Sequence, residues 1–250
     1  MKQIIFSPTG GTKRAADELL QGIGGEWSTI DLCDAKADFS DCAIGAEETV
    51  VIAVPSYGGR VPALAGERLS KLKGNGAKAV LLCVYGNRAY EDTLVELQDL
   101  AEQAGFSTVA AVAAVAEHSI LHQYATGRPD AQDEAALKGF GEKLREKLAG
   151  EAGGPLSLPG SRPYKKTGGS KLVPKADSAC TGCGRCEERC PAQAISDGGR
   201  NTDPERCIAC MRCVTDCPQK ARSVNKLLVT AAGAALKGAC KVRKECELYL

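Results

Sequence analysis

The sequence has no apolar run approaching the roughly 20 residues that a membrane-spanning helix needs. It has no export signal either, because Met1-Lys2-Gln3-Ile4-Ile5-Phe6 turns at once into Ser7-Pro8-Thr9-Gly10-Gly11. Aromatic residues make up only 4% of the 250. They are not interleaved with basic residues, and no nucleic-acid recognition motif is present, so binding to nucleic acid is not expected. No single carboxylate or histidine stands out as a proton donor for chemistry on a small molecule. What is plentiful is cysteine, with 13 residues. Without an export signal, that number points to a reducing, cytoplasmic interior in which thiolates hold metal instead of forming disulfides.

Eight of the cysteines form two runs of one pattern: Cys180-x-x-Cys183-x-x-Cys186-x-x-x-Cys190-Pro191 and Cys207-x-x-Cys210-x-x-Cys213-x-x-x-Cys217-Pro218. The runs repeat at an interval of 27 residues, Cys180 matching Cys207. Two residues between ligands let a short turn aim successive sulfurs at different irons of one [4Fe–4S] cube. The fourth cysteine continues into a helix that points elsewhere, so it serves the other cube. This spacing assigns Cys180, Cys183, Cys186 and Cys217 to one cluster and Cys207, Cys210, Cys213 and Cys190 to the other. The alternative is a pair of all-cysteine zinc sites, which also use C-x2-C pairs. Zinc has no use for a triplet followed by Cys-Pro, repeated twice.

Charge is divided unevenly. Residues 1–150 carry 15 Lys and Arg against 21 Asp and Glu, a net of −6, while residues 151–250 carry a net of +7. Two oxidised clusters with their thiolates would remove roughly 4 positive charges from the second half. The asymmetry predicts mutual attraction of the two halves, or docking on an acidic partner. Transfer between the halves would then slow as salt is raised.

Residues 1–149 alternate strand and helix signals, as a parallel sheet covered on both faces does. Short apolar runs at Gln3–Phe6, Trp27–Leu32, Val50–Val54, Ala79–Val84 and Thr108–Ala116 predict five strands. Apolar residues at helical spacing predict helices between them, as with Ala16, Leu19, Leu20 and Ile23. The fold class is therefore α/β, a flavodoxin-like doubly wound five-stranded parallel sheet of order 2-1-3-4-5. Residues 150–173 are a linker rich in Gly and Pro, with Arg162, Lys165, Lys166 and Lys171 as a solvated basic segment. A flexible chain of that length spans roughly 25–30 Å. Residues 174–224 form a small α+β cluster domain, and residues 225–250 a basic tail expected to be helical.

Ligands of doubly wound sheets bind beyond the carboxyl ends of the strands, where strand order reverses. Three unusual loops should meet there. Ser7, Thr9, Gly10, Gly11 and Thr12 open onto a helix, and their hydroxyls and free N–H groups suit a phosphate monoester. This loop has no Lys and no G-x-G-x-x-G pattern, which argues against a triphosphate and a dinucleotide. Pro55, Ser56, Tyr57, Gly58 and Gly59 place an aromatic where the backbone can approach a ligand. Tyr85, Gly86, Asn87, Arg88 and Tyr90 supply two more aromatics and an amide. Together they suit a flat ring system with a phosphate tail.

Residues 1–149 resemble a flavodoxin-type FMN domain, whose phosphate loop runs Thr/Ser-x-Thr-Gly-x-Thr. The likeness implies that Ser7, Thr9, Gly10, Gly11 and Thr12 hold the FMN phosphate, and that Tyr57 covers one flavin face. Gly86-Asn87-Arg88-Ala89-Tyr90 is similar to the Gly-Asp-Gln-x-x-Tyr stretch whose Tyr stacks on the flavin. Asn87 and Arg88 depart from it, and Arg88 brings a cation toward the ring. Residues 174–224 look like a two-cluster bacterial ferredoxin. The whole resembles flavodoxin–ferredoxin fusion proteins of anaerobic bacteria, which implies electron transfer between FMN and two [4Fe–4S] clusters, serving redox partner proteins. The alternatives are a flavin-dependent reductase fed by its own clusters, and a ferredoxin with a flavin-free docking domain.

The other cysteines read as structural. Cys83 lies inside an apolar strand, and Cys33 and Cys42 are isolated. Cys240 and Cys246 are six apart on a predicted helix, on different faces. His118 and His122 have i, i+4 spacing but no third ligand in view, and His118 is placed to edge the flavin pocket.

Overall fold

The computed structural model describes residues 1–150, 156–168 and 172–250. The apolar runs form the strands of one sheet: β1 (Lys2–Ile5), β2 (Ser28–Asp31), β3 (Thr49–Pro55), β4 (Lys78–Tyr85) and β5 (Ser107–Val115). All five pair in parallel, in the order β2-β1-β3-β4-β5. This is the flavodoxin-like doubly wound order. Val50 to Val54, Ala79 to Val84 and Ala110 to Val115 are buried without a break, because helices cover both faces. Residues alternate between two cores along each strand. Ile52, Leu81 and Val115 face one, with α2 (Ala63–Leu69) and α3 (Thr93–Gln103). Val51, Leu82 and Val112 face the other, with α1 (Gly11–Ile23) and α4 (Ala131–Ala149).

The α1–α4 crossing is close because both helices present glycine there. A Cβ on Gly141 would stand 2.7 Å from the Gly22 Cα, and one on Gly22 would press on the Lys138 carbonyl.

The cluster domain follows, built from short pieces: β6 (Lys175–Ala176), α5 (Arg185–Glu188), β7 (Ile195–Ser196), β8 (Asn201–Thr202), α6 (Arg212–Thr215) and β9 (Arg222–Ser223). β6 pairs with β9 and β7 with β8, both antiparallel. With so little regular structure and few buried side chains of its own, this domain depends on what its sulfurs hold.

Two stretches depart from the sequence reading. The tail is helical only over α7 (Lys226–Leu236). Its end forms β10 (Glu247–Tyr249), which pairs antiparallel with β5 and makes a sixth strand at the sheet edge. The basic linker, where described, has no regular secondary structure, but part of it is pinned to the sheet domain while Lys166 stays exposed. Arg162 pairs with Asp99 at 2.5 Å, Lys165 with Glu91 at 2.5 Å, and Leu156 and Leu158 pack on the core. The acidic α3 face and the loop before it draw this cationic segment down. The linker's Gly153-Gly154-Pro155, Gly169 and Lys171 lie outside the described residues. Among the described residues no helix is long and apolar enough to cross a membrane.

Substituting Gly141→Ala should destabilise the sheet domain by about 1–3 kcal/mol through overpacking. Gly139→Ala, two positions away with nothing within 4 Å, should be neutral or stabilising by up to about 1 kcal/mol. Chemical denaturation of both variants checks the difference.

Candidate cofactor sites

The three loops converge on a cavity of about 600 Å³ at the carboxyl ends of β1, β3 and β4, a volume within the range of small-molecule sites. Thr9, Gly11 and Thr12 line it from the first loop, Pro55, Ser56, Tyr57 and Gly58 from the second, and Tyr85 and Gly86 from the third. Gly10 takes a left-handed conformation at φ 90° and turns the chain into α1. That helix has no side-chain cap and no acidic residue in its first turn, so its positive end faces the cavity uncompensated. Ser7 stands behind it and accepts the Lys13 N–H at 2.9 Å.

The second loop is a two-residue turn. Gly58 and Gly59 have φ of 63° and 86°, and Tyr57 and Arg60 bridge across them, a geometry that demands glycine. Arg60 anchors it with two 2.6 Å bonds to the Glu96 carboxylate and a further bond to the Lys165 carbonyl. Gly59 packs against Glu91 and does not line the cavity. Tyr57 is half-buried at the cavity wall. Burial pushes its phenol well above the ordinary range, and the nearby Cys210 and Cys33 thiols add to the effect.

The third loop divides. Asn87, Arg88 and Tyr90 do not line the cavity, because the tail occupies them. Asn87 donates to the carbonyls of Cys240 at 3.1 Å and Val242 at 3.0 Å, and accepts the Lys244 N–H. Arg88 pairs with Glu91 at 2.7 Å. The Tyr90 hydroxyl meets Tyr249 at 2.7 Å and donates to Glu247 at 2.8 Å, while its ring meets Tyr85 edge-on at 5.1 Å. The signal for this was the alternation of Glu247-Leu248-Tyr249, too short to mark a strand.

Sequence reasoning placed His118 at the edge of the pocket but missed the rest of the wall. Ala232 and Leu236 of α7 close one side, His118 lies after β5, and Cys207, Ile208 and Ala209 come from the cluster domain. His118 and His122 sit in the loop after β5. The His118 Nδ1 accepts the Ile120 and Leu121 N–H groups at 3.2 Å, and burial lowers its pKa. His122 meets Glu117 at 2.7 Å. Cys33 and Cys83 are buried, and burial pushes the Cys33 thiol up to about 12.

The eight motif cysteines gather into two groups. Cys180, Cys183, Cys186 and Cys217 surround one small cavity, and Cys190, Cys207, Cys210 and Cys213 surround another. Each group takes three sulfurs from one run and the fourth from the other. Backbone N–H groups point at sulfur in matching positions, Ala194 to Cys190 at 3.4 Å and Ala221 to Cys217 at 3.3 Å. Such bonds stabilise thiolate sulfur and suit a cluster. Residues 179–222 match the 4Fe-4S dicluster domain.

Some 58–59% of the chain is similar in fold to solved flavodoxins, at low identity. The Megasphaera elsdenii flavodoxin is 21% identical over 58% of this chain and 99% of its own, with a TM-score of 0.41. A flavodoxin from the domain Archaea is 16% identical over 59% and 99%, at 0.39. Rubredoxin oxygen:oxidoreductase from Desulfovibrio gigas is 18% identical over 59% of this chain and 36% of its own, at 0.41. No curated protein matches the chain. A parallel sheet of order β2-β1-β3-β4-β5 precedes a dicluster domain.

The dicluster domain rests on the sheet domain mainly through contacts other than ion pairs. Arg68 of α2, buried at 8% exposure, donates to the carbonyls of Leu32 and Pro191, at 2.6 and 2.7 Å. Ile208 packs on the sheet's core. Among the described residues one ion pair joins the two domains, Lys36–Glu188 at 3.5 Å, with both side chains about 70% exposed. The charge asymmetry acts elsewhere, through Arg162 and Lys165 of the linker and through Arg243 of the tail, which pairs with Asp130 and Asp133.

Substituting Cys217→Ser should damage the cluster of Cys180, Cys183 and Cys186, although Cys217 belongs to the other run. Iron should fall toward about four per chain, with one intact cluster remaining by electron paramagnetic resonance. Equal loss of both signals would contradict the crossed grouping.

Proposed function

We propose that this chain carries electrons between FMN, held in the 600 Å³ cavity, and two [4Fe–4S] clusters. The observation that carries the reading is the shared wall: Cys207, Ile208 and Ala209 line the same cavity as Thr9, Thr12 and Tyr57. FMN takes up electrons in pairs and releases them singly, and each cluster accepts one. The residues fit that group. Thr9, Gly11 and Thr12 at the start of α1 offer hydroxyls and N–H groups to a phosphate, and Tyr57 and Tyr85 offer apolar faces to the rings.

The wall also sets an order. Cys190, Cys207, Cys210 and Cys213 hold the cluster nearer the cavity, and Cys180, Cys183, Cys186 and Cys217 the farther one, where Cys183 is exposed. Tyr57 lines the cavity, as Cys207 does from the nearer site. Arg68 and Ile208 hold the cluster loop against the sheet and exclude water from the path. The chain is an electron carrier with one end at the flavin cavity and the other at Cys183, where redox partner proteins would meet it.

Protein prepared without oxygen should contain one FMN and about eight irons per chain. Photoreducing the flavin should bleach the cluster absorbance at a rate independent of protein concentration. Because the Arg68 contact is buried and one exposed ion pair joins the domains among the described residues, that rate should change less than about twofold between low and high salt. An absence of flavin after incubation with FMN would refute the reading. A rate that rises with protein concentration would replace the internal relay with a bimolecular one.

A further inference from the structure

The dicluster domain has an internal two-fold symmetry in its backbone. Gly182 and Ala209, Gly184 and Met211, and Gln193 and Lys220 are pairs 27 residues apart, and all six have positive φ. β7 and β9 are the same element in each half, Ile195-Ser196 and Arg222-Ser223. At the first position of each, the side chains differ. Ile195 is an apolar residue lining the site of Cys190, Cys207, Cys210 and Cys213. Its counterpart Arg222 lines the site of Cys180, Cys183, Cys186 and Cys217.

Arg222 is only 2% exposed and pairs with no carboxylate among the described residues. Its Nη1 donates to the Gly199 carbonyl and lies 3.8 Å from the Cys186 sulfur, and its Nη2 donates to Pro174 at 3.1 Å and to the Thr202 hydroxyl. Its Nε is buried with no partner. Its Nη2 partners Pro174 and Thr202 line the site of Cys190, Cys207, Cys210 and Cys213. A guanidinium buried without a counter-ion is strongly unfavourable. The negative charge that this guanidinium meets is the Cys186 sulfur, with the second group of sulfurs beyond Pro174 and Thr202.

We propose that Arg222 is the counter-charge of the two clusters, wedged between them and closer to the one of Cys180, Cys183, Cys186 and Cys217. This rests on the two-cluster part of the proposed function. Each cluster gains one electron and no proton on reduction, so its negative charge grows by one unit. A fixed cation beside it stabilises the reduced form. Arg222 therefore makes both clusters easier to reduce. It also breaks their symmetry, so that the farther cluster takes the electron preferentially and draws it away from the flavin cavity. It is a positioning and tuning residue, touching sulfur and not a substrate.

The test is a redox titration of the full chain, followed by electron paramagnetic resonance, with iron counted in each preparation. In Arg222→Gln, which keeps a hydrogen-bonding side chain and removes the charge, both clusters should become harder to reduce. At a fixed applied potential the reduced-to-oxidised ratio of the more affected cluster should fall roughly tenfold, and the two clusters should titrate closer together. Arg222→Lys should retain most of the wild-type behaviour, and Arg222→Ile, which restores the residue of the first repeat, should behave as Arg222→Gln or shift further. Full iron with unchanged titrations in Arg222→Gln and Arg222→Ile would overturn the proposal. Loss of iron in all three variants would overturn it too, because Arg222 would then hold the fold and not the charge. Fewer than eight irons in the wild-type chain would remove the two-cluster reading itself, a result distinct from either.

Discussion

All strands of a parallel sheet end on the same side, and that constraint organises the rest of this chain. The loops after β1, β3 and β4 have to open at one edge, and it is the place where the sheet alone leaves a crevice instead of a packed surface. The chain covers that crevice from several directions. α7 comes from one side, the Cys207–Ala209 turn from another, and the loop carrying His118 from a third. A ligand seated there would be enclosed by parts of the chain from residue 9 to residue 236, so the site exists only when both domains are in place.

The uneven charge has a similar logic. A cluster domain that met the sheet through many exposed ion pairs would be held in a salt-dependent way, and each pair would be worth at most about 1 kcal/mol. The opposite charges are spent on the linker and the tail, which have to be kept from wandering. Arg162, Lys165 and Arg243 are pinned to acidic residues of the sheet domain. The domain contact itself rests on Arg68, whose guanidinium satisfies backbone carbonyls on both sides at once. Those bonds are buried, where salt has little reach.

The repeat spacing of the cysteines and the apolar runs of the strands were legible from sequence, because each is a local pattern with a single geometric solution. The same pattern predicts the grouping in which Cys217 lines the cavity of Cys180, Cys183 and Cys186, and Cys190 that of the second run. The fate of Asn87, Arg88 and Tyr90 was not legible. The partners of Asn87 and Tyr90 lie about 150 residues further on, and nothing in the loop announces that carbonyls of Cys240 and Val242 will claim the Asn87 amide or that Glu91 will claim Arg88. β10 was equally silent, since three residues of alternating character identify a strand only when a neighbour waits to pair with them. Arg222 was visible as a break in the repeat at Ile195. Its burial, which gives the break its meaning, belongs to the three-dimensional structure.

The pairing of β10 with β5 changes what kind of object the dicluster domain is. Its chain leaves the sheet after α4 and comes back to it at Glu247, so the domain is an insertion within the sheet's topology and not an appendage on its end. It is tethered by two strands of polypeptide, in the manner of a handle fixed at both ends. A single proteolytic cut in the linker would leave the clusters attached through α7 and the edge strand. A gene truncated before α7 to obtain the isolated domains would strip the sheet of its sixth strand and uncover the backbone edge of β5, an edge of the sort that recruits other chains.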